Sequence, residues 1–185
     1  AAGVPLAVMG ATRLQFKPEF RWTRQAGTRF HGMVGGAKKF ALLNGSPTDN
    51  NATLFKQGYE TAITGAGYTV AADQAVPEWD NTKAGTIFEQ MYTKANGDFI
   101  GVAAANDGLG GAAISVLDRN GQAGKIPVTG QDATDEGLQR VLLGTQCMTV
   151  YKAVKKEADA AAALAIALSK GETPTVDQTT KDPET

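Results

Sequence analysis

The sequence has little of what metal and thiol chemistry require, since it holds one histidine, His31, and one cysteine, Cys147. A single histidine excludes a multi-histidine metal site and leaves a poor case for histidine-based catalysis. A single cysteine excludes an internal disulfide and carries no information about the redox compartment. We therefore expect neither a metal site nor a cofactor.

Excess charge and long apolar runs are missing too. A net charge of −1 gives no reason to expect a nucleic-acid partner or a membrane partner. No run approaches the roughly 20 apolar residues of a membrane span. The opening stretch, AAGVPLAV, lacks the basic region that begins a signal peptide and is not one as it stands. What remains is a globular composition, with 42% hydrophobic residues over 185 positions, enough for one full α/β domain and part of another.

The first clear unit is a strand, a polar loop and a helix. The apolar run at 40–43 is too short for a helix and predicts a buried parallel strand. A polar loop at 46–51 follows, and apolar residues then recur at helical spacing. Any of Asp49, Asn50 or Asn51 can cap that helix by accepting N–H groups of its first turn.

This unit recurs along the chain and predicts an α/β fold, a parallel sheet flanked by helices on both faces. The predicted strands lie at 40–44, 68–72, 99–105, 126–129 and 148–151. A loop at 106–111 is expected before the third helix, and Lys152 is expected to open the longest helix. In such sheets, ligands bind at the carboxyl ends of the strands. The first loop offers amides and a carboxylate without a cation, which suits hydroxyl groups better than phosphates.

The third loop contains a glycine pattern with two interpretations. Residues 108–113 satisfy G-x-G-x-x-A between a strand and a helix, the context of a dinucleotide fingerprint. Against that interpretation, Asp107 puts a carboxylate where a pyrophosphate would approach, and the unit is third in the chain rather than first. We favour the alternative, in which small residues allow tight packing of the helix on the sheet.

Two other features allow both a functional and a structural interpretation. Trp79, in the loop after the second strand, is either a lid on the core or a platform that stacks on the C–H face of a sugar. The segment 9–36 carries five of the chain's 18 cations and one acid, Glu19. It is either a basic arm for nucleic acid or, as we favour, a segment without a coherent apolar face, which should pack poorly.

Five loop motifs carry a family resemblance. The runs GSPTDNNA, VPEWDN, AANDGLGGAA, VTGQDA and GTQCMTVYK, in this order, resemble the xylose-binding members of the periplasmic sugar-binding proteins. That family serves ABC importers and shares its fold, the type I periplasmic-binding-protein fold, with LacI-type regulators. The resemblance covers roughly 38–180 and implies one of two α/β lobes that close on a sugar. It implies a remnant of the N-terminal lobe at 1–37, a C-terminal sugar-binding lobe at 38–171 and a truncated tail toward the hinge at 172–185.

The resemblance also implies a binding site. Matched motif by motif, the sugar-contacting positions are Asn51, Trp79, Asn106, Asp132 and Lys152. In that site Asp132 would accept two hydroxyls, the asparagines would donate and accept, Lys152 would donate, and Trp79 would stack. All five lie at or just past predicted strand ends, so we expect them to converge on one cleft. An Asp-Arg pair typical of the family after the first strand is not matched; at most Arg13 corresponds to it.

The implied function is the binding of a monosaccharide, xylose or a related sugar, for delivery to an ABC transporter permease from the periplasm, without catalysis. Two alternatives stay open. One is the effector-binding core of a LacI-type sugar-responsive regulator. The other is an enzyme, either nucleotide-dependent or a glycosidase with two carboxylates drawn from Asp80, Asp107 and Asp132.

Overall fold

The computed structural model describes residues 6–9, 39–152 and 154–173. The chain divides into two compact units, of which the first ends at Lys152 and the second begins at Ala153. The prediction that 9–36 packs poorly falls, except for Met9, outside the described residues. The positions of Arg13 and His31 lie outside them as well.

In the described part of the chain, the first unit contains five strands and four α-helices, and the second unit contributes one helix. The elements are β1 (Leu6–Met9), β2 (Lys39–Asn44), α1 (Asn50–Gly65), β3 (Thr69–Ala75), a 3-10 turn (Pro77–Trp79), α2 (Asn81–Lys94), β4 (Gly101–Ala104), α3 (Asp107–Arg119), α4 (Asp135–Leu143), β5 (Thr149–Lys152) and, in the second unit, α5 (Val154–Ser169). Among the described residues, no helix combines the length and the apolar character needed to cross a membrane.

Among the residues that the structure describes, every strand pairing is parallel. β2 lies between β3 and β4, and β1 pairs with β5. The segment around Val128 joins these two groups, because Val128 bridges to Val102 of β4 and its carbonyl accepts the N–H of Cys147 at 2.9 Å. The spatial order is therefore β3, β2, β4, the segment at residue 128, β5 and β1. The predicted parallel α/β fold is confirmed.

The central strand β2 shows why helices cover both faces. Its side chains alternate between the faces of the sheet, as strand geometry requires. Phe40 and Leu42 pack with α1 on one face, whereas Ala41 and Leu43 pack with α2 and α3 on the other. Both leucines are fully buried, and burial of each contributes about 1.5–3 kcal/mol. This apolar run on both faces of the strand is the pattern that predicted a covered parallel sheet.

The strand predicted at 126–129 is reduced to the single bridge at Val128. Pro127 has no N–H to donate to a ladder, so a regular strand cannot run through it. The segment keeps its place in the sheet because the Pro127 carbonyl accepts the N–H of Val102 at 2.9 Å, and Thr129 donates to the carbonyl of Val102 at 3.0 Å.

Two predicted boundaries are wrong. The loop at 106–111 is the start of a helix, because α3 begins at Asp107 with Asn106 as its N-cap. Lys152 does not open a helix; it is the last residue of β5, and α5 begins at Val154. The Asn106 side chain caps the helix that begins at Asp107, and Lys152 continues the β5 ladder opposite Met9.

Candidate functional site

The five predicted site residues lie at the carboxyl ends of successive parallel strands. In the spatial order of the sheet they are Trp79 after β3, Asn51 after β2, Asn106 after β4, Asp132 after the segment at residue 128, and Lys152 at the end of β5. Parallel strands end at one edge of a sheet, so the topology places all five on that edge. Direct contacts join some of them and not others.

Asp132 and Lys152 are in direct contact. The Lys152 ammonium lies 2.7 Å from Asp132 Oδ1, with the two side chains 32% and 36% exposed. The pair therefore remains open to solvent and to a ligand. It combines a strong hydrogen-bond acceptor with a strong donor at one point, as a polyhydroxylated ligand requires.

The turn that carries Asp132 has an unusual backbone. Asp132 has φ 100° and Ala133 has φ 49°, and residues other than glycine cost about 1–3 kcal/mol each in such conformations. The backbone N–H of Asp132 donates to the Val150 carbonyl at 2.9 Å. Those of the next two residues donate to Thr149 Oγ1 at 3.0 Å and to Asp107 Oδ2 at 2.9 Å. The surroundings of this turn therefore fix the direction of the Asp132 side chain.

Trp79 is held by two contacts that the sequence does not reveal. Its indole N–H donates to Asp49 Oδ2 at 3.1 Å. Its ring lies against Gly45, where an added Cβ would fall 2.0 Å from a ring carbon, so any side chain at Gly45 would displace the indole. The half-buried ring also packs against the core, which supports the lid interpretation; stacking on a sugar stays a prediction.

Asp49 links Trp79 to the predicted position Asn51. Its carboxylate caps α1 by accepting the backbone N–H of Asn51 at 2.8 Å, while its other oxygen accepts the indole N–H. The Asn51 side chain itself is exposed. The sequence identified Asp49 as one of three capping candidates. Its contact with Trp79, 30 residues away, could not be read from spacing.

Asn106 also acts as a cap. Its side-chain oxygen accepts the Leu109 N–H at 2.9 Å at the start of α3. Gly108 is already inside that helix, and the Asn81 amide lies over it, 2.5 Å from the position of an added Cβ. An added Cβ at Gly110 would meet the Thr129 carbonyl at 2.9 Å. The glycines of the G-x-G-x-x-A pattern thus serve close packing, as the favoured interpretation holds.

A network of polar side chains lies between α1 and the strands β2 and β3. The Tyr59 hydroxyl donates to Asn44 Oδ1, and Asn44 Nδ2 donates to Asp73 Oδ1 at 2.6 Å. Lys56 pairs with the same Asp73. Burial, reinforced by the charge of Asp73, raises the pKa of Tyr59 above its usual value, so the hydroxyl remains a donor. This network joins the ends of β2 and β3 to α1.

The carboxylates proposed for a glycosidase have other partners. Asp80 caps α2, and its bonds from the backbone N–H groups of Lys83 and Thr82 lower its pKa. A general acid requires the opposite shift. Asp107 is fully buried, and Asp132 pairs with Lys152. Within the described part of the chain, no cluster of three or more His, Cys, Asp or Glu side chains could hold a metal.

Comparison with known proteins identifies relatives over most of the chain. A family model described as a periplasmic binding protein domain matches residues 19–173. The D-xylose-binding periplasmic protein of Haemophilus influenzae is 39% identical over 137 residues, which are 72% of this chain and 41% of that protein. Its Escherichia coli counterpart is 38% identical over 144 residues, which are 76% of this chain and 44% of that protein. The chain thus spans less than half the length of these relatives.

Solved structures show the same fold. A carbohydrate transporter solute binding protein from Chloroflexus aurantiacus, in complex with D-glucose, superposes with a TM-score of 0.70 at 24% identity, covering 85% of this chain and 55% of that one. An ABC transporter periplasmic solute binding protein from Actinobacillus succinogenes, with bound D-allose, gives a TM-score of 0.68 at 24% identity, covering 82% and 53%. At these identities the likeness concerns the fold alone.

Proposed function

The chain belongs to the periplasmic binding protein family, and on that premise we propose that it binds a monosaccharide, xylose or a related sugar, as one lobe of a two-lobed solute-binding protein. In this proposal residues 38–171 form the C-terminal lobe, with 1–37 belonging to the other lobe and 172–185 leading to the hinge. The complete protein works in the periplasm and delivers the sugar to an ABC transporter permease. It carries out no catalysis.

One observation carries this proposal: the same sheet edge presents an anchored indole, Trp79, and an exposed carboxylate–ammonium pair, Asp132 and Lys152. A pyranose has apolar C–H faces and a rim of hydroxyls that both donate and accept. The indole suits the face, and the charged pair suits the rim. A phosphorylated sugar fits less well, because Asp49 and Asp132 both bring negative charge to this edge.

The choice of xylose rests on the relatives. Two proteins at 38% and 39% identity are D-xylose-binding periplasmic proteins. The positions proposed here, Asn51, Trp79, Asn106, Asp132 and Lys152, supply amide, carboxylate, ammonium and aromatic groups. These groups can bind the hydroxyls and the C–H face of a neutral sugar without a cofactor or a metal.

The proposal is tested by titrating the isotope-labelled chain with xylose and, separately, with NAD, while amide resonances are followed by NMR. Xylose should shift the amides of Asp132 and Lys152 and the indole N–H of Trp79, because these groups line the proposed site. NAD should shift none of them. A response to NAD around 108–112, with none to xylose, would favour a nucleotide-dependent enzyme and overturn the proposal.

In the complete two-lobed protein, Asp132→Asn should weaken xylose binding by about 1.5–3 kcal/mol, the range for a hydrogen bond to a charged group. The change keeps the shape of the side chain but removes the charge that faces the hydroxyls and Lys152. Glu136→Gln is the matched control, since it removes one negative charge from an exposed position in the first turn of α4. Equal losses in the two variants would mean that overall charge, and not contact with Asp132, controls binding.

A further inference from the structure

We propose that Asp107 is the positioning residue of this site: its buried carboxylate holds the turn at 131–134 in the conformation that directs Asp132 to Lys152. The identity of the ligand rests on the proposed function, whereas the conformation of the turn does not. Asp107 differs from the proposed sugar-contacting residues because its side chain is fully buried and acts through its neighbours.

The carboxylate of Asp107 is surrounded by donors. Oδ1 accepts from the Gln146 amide at 2.7 Å. Oδ2 accepts from the Thr149 hydroxyl at 2.9 Å and from the backbone N–H and hydroxyl of Thr134 at 2.9 and 3.3 Å. A buried carboxylate is tolerated only when its oxygens are satisfied in this way. Its partners come from the cap of α4, the loop before β5 and β5 itself.

Two glycines leave the space that this carboxylate occupies. A Cβ added at Gly130 would fall 2.1 Å from Asp107 Oδ1, and one added at Gly137 would fall 2.2 Å from Oδ2. The backbone of the residue is fixed as well, since its N–H donates to the Gln131 carbonyl at 2.9 Å and its carbonyl accepts from Arg140 at 2.6 Å. The segments on both sides of Asp132 therefore close around this one side chain.

The backbone N–H groups of the two residues that follow Asp132 are both linked to the Asp107 carboxylate, one directly and one through a hydroxyl. Thr134 donates its N–H directly to Oδ2. Ala133 donates its N–H to the Thr149 hydroxyl at 3.0 Å, and that hydroxyl donates in turn to Oδ2. With Asp132 at φ 100° and Ala133 at φ 49°, the turn lies outside the conformations that these residues prefer. The bonds to Asp107 are what hold it there, and with it the direction of the Asp132 carboxylate.

Alanine is the informative substitution at this position. Asparagine can place its amide oxygen on the Oδ2 side and keep the bonds from Thr134 and Thr149, whereas alanine removes both acceptor oxygens. Asp107→Ala should therefore release the turn. Thr149→Val removes only the hydroxyl that links Ala133 to Asp107, so it should release Ala133 and leave the bond from Thr134 in place.

The experiment compares Asp107→Ala, Thr149→Val and Val116→Ala in the full 185-residue chain. Val116 is a fully buried residue on the same helix, α3, and controls for a general loss of stability. The readout is the backbone φ of Asp132 and Ala133 from NMR couplings and carbon shifts. We expect φ to leave the positive region at both residues in Asp107→Ala and at Ala133 in Thr149→Val. In Val116→Ala both values should stay positive while the melting temperature falls.

Positive φ at both residues in a folded Asp107→Ala overturns the inference. If that variant does not fold, Thr149→Val decides alone, and a retained positive φ at Ala133 overturns it. In xylose titrations we expect Asp107→Ala to weaken binding by the same factor as Asp132→Asn and to have no further effect when added to Asp132→Asn. Additive losses would contradict action through Asp132. A released turn in a chain that never binds xylose would support the positioning role and refute the proposed function.

Discussion

At the scale of single residues, two aspartates differ in how deeply their carboxylates are buried, and this difference distinguishes their proposed roles. The Asp107 carboxylate is fully buried and accepts four hydrogen bonds from the protein. The Asp132 carboxylate is 36% exposed and pairs with Lys152. A sugar can compete for the second carboxylate and cannot reach the first. The sequence shows both as polar residues after a strand, and only packing distinguishes the proposed positioning residue from the proposed sugar contact.

Cys147 gives a prediction for the pH dependence of stability. The residue is half-buried as a whole, but burial of its sulfur raises the pKa of the thiol to about 12. An unfolded cysteine titrates near pH ~8.5. Between these values the folded chain keeps a proton that the unfolded chain has lost. The free energy of unfolding should therefore fall as pH rises above about 9, by up to ~1.4 kcal/mol per pH unit from this thiol.

The measurement is urea unfolding of the natural chain and of Cys147→Ala at pH 8, 9 and 10. Lysines and tyrosines also titrate in this range, but they do so in both proteins, so the difference between the two curves isolates the thiol. The stability advantage of the natural chain should shrink as pH rises. Two curves that stay parallel would show that the thiol ionises as readily in the folded state as in the unfolded one.

At the scale of elements, apolar periodicity predicted which segments are strands and helices, but not where polar residues begin them. The run at 40–43 predicted β2 correctly, because a strand that is buried on both faces is apolar at every position. The start of α3 was missed because Asn106 and the glycines after it also fit a loop, and the cap bond decides between the two. Pro127 interrupts a strand that the apolar residues around it indicate.

The cap of α1 yields a prediction with a matched control. Asp49→Ala removes both the capping bond and the acceptor of the Trp79 indole, so it should destabilise the protein by about 1 kcal/mol and change the fluorescence of Trp79. Asp49→Ser keeps a side chain that caps well but is too short to hold the indole. It should therefore change the fluorescence equally and retain most of the stability.

Both variants are made in a Trp22→Phe background, so that Trp79 is the only tryptophan left in the sequence. Chemical denaturation measures the stability, and the emission maximum with iodide quenching measures the exposure of the indole. An unchanged emission in Asp49→Ser would mean that Gly45 and the core, rather than Asp49, determine the position of the ring.

At the scale of the whole molecule, the sheet order places the five predicted site residues on one edge without any appeal to a family. Each lies at or just past the carboxyl end of a different parallel strand or, for Asp132, of the segment bridged at Val128, and these ends lie on the same edge of the sheet. The sequence could not show which of them touch, because contacts such as Asp49 with Trp79 join loops 30 residues apart. It also could not show that Asp107 lies beneath the site, since its burial depends on how the cap of α4, the loop before β5 and β5 itself pack around it.

The affinity of this chain for sugar is a prediction about the whole molecule. The described residues supply one wall of the proposed cleft, the carboxyl edge of a single sheet. Water then reaches the far side of a bound sugar, and hydrogen bonds to its hydroxyls gain little over those to solvent. We expect the 185-residue chain to bind xylose no more tightly than millimolar, which corresponds to about −4 kcal/mol.

Calorimetric titration with xylose measures this affinity, with the Asp132→Asn chain as the control for heats of dilution and non-specific binding. A weak signal that is present in the natural chain and reduced in the variant is the expected result, because the charged pair contributes even where water is not excluded. Micromolar binding by the natural chain would contradict the account of the site. It would mean that Trp79, Asp132 and their neighbours exclude water from the sugar without a second lobe.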